Sequence, residues 1–472
     1  MSVGKISEYP NAAIAISDTD LFDISVDLGG GLWESKKITG LVLKGLLQKM
    51  PAGGTVGQAL VKIDGSDYNT QWVTIGAGVN VGKLLLIKPN LNAVQYASFA
   101  LANAAAVAGD TIHVFNGVYN ENNVIKAGVF YEFHEGAKVN YTGVDVTAVI
   151  NALLGTYYVY GSGEFSSTTS PVYSVIAGQT LHLYAREIRQ ISNDISTSLG
   201  TLIGKVETTI SDGTEGFRVA GILADIDYGR IEHNNANPAT YALTIQGEGQ
   251  IRFTDMVSAA RGVFSIIPSG KTASIYYNSI TAVEECHVIN GVGRMSIYEG
   301  AFAKTTNIVR EGIEITNGIC DYHGKIETTG GATLIMNGAN AIFNLYGTTS
   351  GGSAAIPSIV MNSGTLNIMA GSVVKASLFR AIQMLTGGTA PKVYNFGRIE
   401  HTFAGSAAVY LVLGDEIFIS CAGSQIITSG ANSIDALVPA FATTYPASVS
   451  NKPLSANITE KVSTMLISSD II

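Results

Sequence analysis

The sequence predicts an all-β chain whose main body is a right-handed parallel β-helix, and three observations carry that prediction. First, a short pattern, Gly then a basic residue or Gln then Ile, Val or Met, returns at Gly204 Lys205 Val206, Gly229 Arg230 Ile231, Gly249 Gln250 Ile251, Gly293 Arg294 Met295, Gly324 Lys325 Ile326 and Gly397 Arg398 Ile399. Its steps are 25, 20, 44, 31 and 73 residues; all but the 31 lie near one, two or three multiples of roughly 20 to 25, the period of solenoids. Second, 53 of 472 residues are Gly, 46% are hydrophobic and only 14% charged, so the chain is neither disordered nor a charge-coated globule. Third, short β runs broken by Gly, Asn and Ser fill residues 110–435. Right-handedness follows from the chirality of parallel crossovers.

Taken in order, residues 1–50 form an N-terminal segment. Leu21 Phe22 Asp23 Ile24 Ser25 Val26 alternates as a half-buried strand does. Thr39 precedes Leu41, Val42, Leu43, Leu46 and Leu47, a short apolar helix ending before Pro51. A helix that short needs a partner to bury its apolar side. Residues 51–90 are a Gly-punctuated neck, in which the Asp64 Gly65 step between two apolar stretches signals a turn. Residues 91–435 hold the solenoid with a cap helix at about 91–108, started by Asn90 or Asn92 and stopped by Gly109. Such a helix covers the open first coil, whose unpaired backbone groups otherwise recruit other chains. Thr111 Ile112 His113 Val114 then alternates as a strand with Ile112 and Val114 inward. Residues 436–472, broken by Pro446 and Pro453, are a C-terminal extension.

Within the recurring pattern the third residue points inward and its neighbours outward. Stacking consecutive repeats sets Gln250 over Arg230 and Arg252 over Glu232. The odd 31-residue step predicts an extra loop of about eight residues near Thr305 to Gly312.

A net charge of −9, with no Lys and Arg cluster, gives no reason to expect nucleic acid. No apolar run approaches the ~20 residues that span a bilayer, and Met1 to Asp20 carries no apolar core of a secretory leader. Cys286, Cys320 and Cys421, widely spaced and odd in number, read as buried reduced thiols of a protein that matures in a reducing cytoplasm. No cofactor and no metal site are expected.

Two stretches resemble known families. Ala104 to Glu121, with its Ala-rich helix followed by Gly109 Asp110 Thr111 Ile112 and Gly117 Val118 Tyr119 Asn120 Glu121, is similar to the entry of pectin-lyase-like right-handed β-helices. That entry implies a fold and no activity. Gly54 Thr55 Val56 Gly57 Gln58 Ala59 Leu60, followed by Asp67 Tyr68 and Trp72, resembles a linker of bacteriophage tail-fibre and appendage proteins. The opening, Lys5 Ile6 Ser7 Glu8 Tyr9 Pro10 then Asp18 Thr19 Asp20 Leu21, resembles their virion-binding N-termini. The resemblance implies a non-enzymatic structural virion protein: a homotrimeric fibre, spike or tailspike attached through its N-terminus, with Leu41, Leu43, Leu46, Leu47 and Trp72 as attachment residues, and contacting a host surface glycan, a receptor or other virion proteins. A tailspike depolymerase is the alternative; a bacterial adhesin fits less well without a leader.

Depolymerisation by hydrolysis needs two carboxylates roughly 5 to 9.5 Å apart. Asp225 and Asp227 straddle Ile226 and project from one strand face about 7 Å apart; they read equally as solvated residues before Gly229. Glu284 and Glu285 are adjacent and on a strand face opposite ways, which argues against an acid–base pair. His233 and His401 end equivalent repeats, a structural position. Pectate-lyase-type chemistry wants an Asp cluster for calcium, and the coils have none. Trp33 and Trp72 both precede the coils, so sugar-facing rings must come from Tyr157, Tyr158, Tyr160, Tyr173, Tyr184, Tyr276 and Tyr277. Of these, Tyr158, Tyr160 and Tyr276 are the binding candidates, although packing or a subunit interface explains them as well.

Overall fold

In the computed structural model the third residue of the recurring pattern is buried at every site: Val206, Ile231, Ile251, Met295, Ile326 and Ile399 are at most 1% exposed. Each sits in a strand that pairs in parallel with strands one coil before and one coil after, so the side chains pile into a continuous apolar column. The structure describes residues 21–27, 33–39, 58–62, 70–74, 84–89, 93–120, 124–141, 150–152, 155–191, 196–213, 215–221, 223–298, 301–307, 309–385, 389–412, 416–444, 449–456 and 458–462.

The chain divides into two units, Met1–Val81 and Gly82–Ile472. In the first, the alternating Leu21–Asp27 is a strand, paired antiparallel with Trp33–Thr39. Gln58–Lys62 and Thr70–Thr74 form a second antiparallel pair with Leu60 opposite Trp72; the expected turn at Asp64 Gly65 lies outside the described residues. Leu41, Leu43, Leu46 and Leu47, expected from the sequence to serve attachment, lie outside the described residues.

The second unit is a parallel β-solenoid with three strands in most coils. Two successive faces belong to one 31-stranded hydrogen-bonded sheet and the third face is a 14-stranded sheet. A representative coil runs Arg294–Ile297 on the first face, Phe302–Thr305 on the second and Ile313–Ile315 on the third. The next begins at Ile319, which pairs with Arg294. Along the first face Ile251, Ile275, Ile297, Tyr322, Leu345 and Ile368 follow one another inside, all buried. Alternation with outward polar neighbours is what a strand with one buried face requires.

At its start the solenoid is closed by a hairpin and a helix. Leu84–Ile87 pairs antiparallel with both Ala93–Tyr96 and Thr111–Val114. The one helix among the described residues, Phe99–Ala105, is seven residues long and is capped by the Ser98 hydroxyl on the Leu101 N–H. It is therefore shorter than the 91–108 expected from Asn90 or Asn92, because Ala93–Tyr96 is taken into the hairpin, and Leu84–Ile87 belongs with the coils and not the neck. Phe99 plugs the end of the core against Tyr119 and Phe133 at ring-centroid distances of 5.2 and 6.0 Å. The Gly-Asp step after it has a structural use: Asp110, fully buried, accepts from Lys88 Nζ and the Val107 N–H, both at 2.8 Å. Burial pushes the Asp110 carboxyl up, and the Lys88 and Val107 hydrogen bonds outweigh it and hold it below the usual range.

Three sequence expectations are corrected. The pattern does not recur at one place: Gly204 lies inside the first-face part of the long strand Thr201–Ser211, Gly249 and Gly293 introduce first-face strands, and Gly229, Gly324 and Gly397 introduce second-face strands. Arg230 therefore stacks on Asp255 and Glu232 on Val257, and Gln250 and Arg252 lie beside Asp225 and Asp227. The 31-residue step is one coil of 25 residues, Arg294 to Ile319, plus the move from the first face to the second, and the turn between Thr305 and Ile313 is only two or three residues longer than those of the coils before and after, not about eight. Parallel pairing also continues beyond 435, through Phe418 with Ala442 and Ala440 with Ile458, so Pro453 lies between strands without ending the stack; Pro446 lies outside the described residues.

Candidate functional site

The outward residues of the second-face pattern pair within their own strand. Arg230 Nε is 2.9 Å from Glu232, Lys325 Nζ 2.7 Å from Glu327 and Arg398 Nε 2.8 Å from Glu400. These pairs are exposed and contribute little. They are surface order with no reacting group.

Asp225 and Asp227 flank buried Ile226 on the outer face, as alternation requires. Both are engaged. Arg252 Nη1 lies 2.5 Å from Asp225 Oδ1, and Asp227 accepts the Gly229 N–H at 2.9 Å. His233 and His401 end equivalent second-face strands and are buried against Thr240 and Thr428 at 3.0 and 2.8 Å. Burial lowers the His233 imidazole to about 4 and lowers His401 as well, so both are neutral packing groups at pH 7. Cys286, Cys320 and Cys421 are free and buried, and burial pushes the Cys286 and Cys421 thiols up to about 12, which makes them unreactive.

The tyrosines divide by alternation. Tyr157, Tyr173 and Tyr277 are inside the solenoid and are removed from any groove. Tyr158 and Tyr160 face outward on one strand: Tyr158 stacks between Phe130 and His182 at 4.6 and 4.9 Å, and Tyr160 lies 5.3 Å from Tyr184.

Tyr276 heads a longer ladder. It ends a first-face strand, and the residues in the same place one, two and three coils on are Tyr298, His323 and Tyr346, as the backbone bonds from Tyr298 to Ile275, His323 to Ile297 and Tyr346 to Tyr322 show. Their rings stack at 4.4, 5.9 and 4.3 Å with interplanar angles of 3, 8 and 5°. The Arg252 guanidinium sits over Tyr276 at 5.6 Å. Beside this ladder, where the first face turns into the second, a shallow depression is lined by Ala301, Phe302, His323, Gly324, Lys325, Gly347 and Thr348. Lys325 Nζ lies over the Phe302 ring at 5.1 Å. Flat aromatic faces beside a cation and a hydroxyl suit the ring faces and hydroxyls of a sugar. Of the ladder only Tyr276 was anticipated; His323 and Tyr346 needed the coil register.

A second cluster overturns the reading of Glu284 and Glu285. They lie in the turn after the Ser279–Ala282 strand, not on a strand, so they need not diverge. Both are buried and both reach Arg310, whose Nε is 2.5 Å from Glu284 Oε2 and whose Nη1 is 3.4 Å from Glu285 Oε1. Arg261 Nε adds a 2.7 Å bond to Glu285. Nearby, burial raises the Glu311 carboxyl above the usual range, Glu285 and Glu314 add to this, and the Glu311 backbone N–H and Arg310 oppose it. No protein-family model, no curated protein and no solved structure matches the chain.

Proposed function

We propose that the chain is a structural virion protein of a bacteriophage: a fibre or spike, homotrimeric and without enzymatic activity, attached by its N-terminus to other virion proteins and contacting a host surface glycan. The observation that carries this reading is a small β unit, bearing the linker-like motif around Gly54 to Trp72, ahead in sequence of one long stack of parallel coils that is closed at its start. The ladder from Tyr276 to Tyr346 and its depression support a glycan contact on that face. The virion, assembled in a host cytoplasm, suits three buried free thiols.

A polysaccharide depolymerase is the second reading, and the Glu311 neighbourhood favours it. A carboxyl raised by burial and by the like charges of Glu285 and Glu314 is the environment of a general acid. Incubation with host capsular polysaccharide separates the two. Binding without release of oligosaccharide, weakened by about tenfold in Tyr298→Ala through lost stacking, is the expected result. Release that disappears in Glu311→Gln establishes the enzyme instead, and neither binding nor release removes the glycan from the proposal.

A further inference from the structure

The outer surface at the start of the solenoid brings together His113, Glu132 and His134, whose ligand atoms all lie within 4.8 Å of one another. Coil geometry assembles them. His113 projects outward from Thr111–Val114, between inward Ile112 and Val114, and Glu132 is its partner in the next coil. His134 follows that second strand, and its backbone N–H bonds to the Val114 carbonyl. His113 Nδ1 is 3.0 Å from His134 Nε2 and 3.2 Å from Glu132 Oε2. Four ligands at about 2.1 Å in a tetrahedron stand about 3.4 Å from each other, so both separations are within a few tenths of an ångström of those of a bound metal. Phe115 stacks on the His134 ring at 4.6 Å and 15°, which fixes its orientation.

We propose that His113, Glu132 and His134 form a binding site for a divalent transition metal, with Zn²⁺ as the ion that two imidazoles and one carboxylate suit best. Glu132 is 47% and His113 20% exposed at the side chain, so the ion enters from solvent and keeps a fourth position for water or an outside ligand. The metal joins the first coil to the second, next to the hairpin and helix that close the stack. It therefore fastens the end of the solenoid from which fraying starts. Sequence alone did not bring the three together, because the step from His113 to Glu132 is one coil of 19 residues, shorter than the period read from the Gly pattern. The proposal is independent of the glycan and virion readings.

The test uses the full chain without a polyhistidine tag, stripped with chelator and titrated with ZnCl₂ by calorimetry, with Co²⁺ absorption as a report on geometry. One ion per chain is expected, with a tetrahedral Co²⁺ spectrum and an unfolding midpoint that rises with added Zn²⁺. His113→Ala and His134→Ala each lower affinity by at least about tenfold and abolish the Zn²⁺-dependent rise. Glu132→Gln, at an exposed position that leaves both rings in place, weakens binding in a chain whose circular dichroism is unchanged. No binding at micromolar Zn²⁺, or equal binding in wild type and in all three variants, overturns the proposal and leaves the two rings as hydrogen-bond partners only.

Discussion

His287 is fully buried and its Nε2 lies 2.8 Å from the Tyr277 hydroxyl, inside the coil stack. Burial lowers its imidazole to about 3, as it lowers His233 to about 4, against about 6.5 in an unfolded chain. The sign follows from proton counting. Between those values the unfolded chain holds a proton that the folded chain refuses, so each histidine's contribution is complete above about pH 6.5 and is lost as pH falls toward 4 and 3. At pH 5 each site costs about 2 kcal/mol relative to pH 7. His401 acts in the same direction, and the raised carboxyl of Glu311 acts in the opposite one. Urea unfolding at pH 7 and pH 5 is expected to show stability falling with acid, and His287→Gln is expected to remove about 2 kcal/mol of that difference. An unchanged difference in the variant means that His287 is not held neutral by the core.

At the scale of the element, the turns are set by glycines that let one coil approach the last. A Cβ on Gly324 falls on the carbonyl oxygen of Ala301 in the preceding coil, while a Cβ on Gly423, at φ +81°, meets nothing within 4 Å. The first substitution displaces backbone and the second only strains a turn. Gly324→Ala is expected to cost about 3 kcal/mol or more, and Gly423→Ala about 1 kcal/mol, measured by thermal or urea unfolding of both. Equal losses would mean that coil contact is not what places these glycines. The same geometry explains what the sequence could show. The inward residue of each repeat was legible because alternation acts within one strand, so Ile231 and Ile399 were assigned from their neighbours alone. Stacking partners were not, because coil advance varies from 18 residues at Ala440 to Ile458 up to 28 at Phe130 to Tyr158, and the pattern marks two faces. Asp225 and Asp227 stood out because they share a strand. Glu284 with Arg310, His323 with Tyr346, and His113 with His134 meet only after a full coil is wound, and Glu284 sits in a turn whose shape no periodicity records.

For the second unit as a whole, each coil touches mainly the coil before and the coil after, so the apolar column inside is satisfied without any other chain. What remains unsatisfied lies outside. Along the corner after the second face, Val283, Val309, Leu378 and Phe403 are 40, 58, 51 and 37% exposed. Counted by the second-face strands that precede them, Val283 and Phe403 are five coil steps apart, roughly 24 Å at about 4.8 Å per step. A stable interface covers about 800 Å² on each partner, more than these four side chains supply, so their neighbours on the same corner join them in the proposed trimer. Like charge placed there opposes association without touching the core. Sedimentation equilibrium at micromolar concentration is expected to give three chains per particle for the wild type, and a monomer or a weakly associating species for the double variant Leu378→Glu, Phe403→Glu, with the unfolding midpoint of the monomeric coils little changed because both residues are exposed. A wild-type chain that sediments as a monomer removes the trimer. A trimer indifferent to the double variant moves the interface to another face, of which the Tyr276 to Tyr346 ladder is the next to test because it too exposes aromatic surface in a line parallel to the stack.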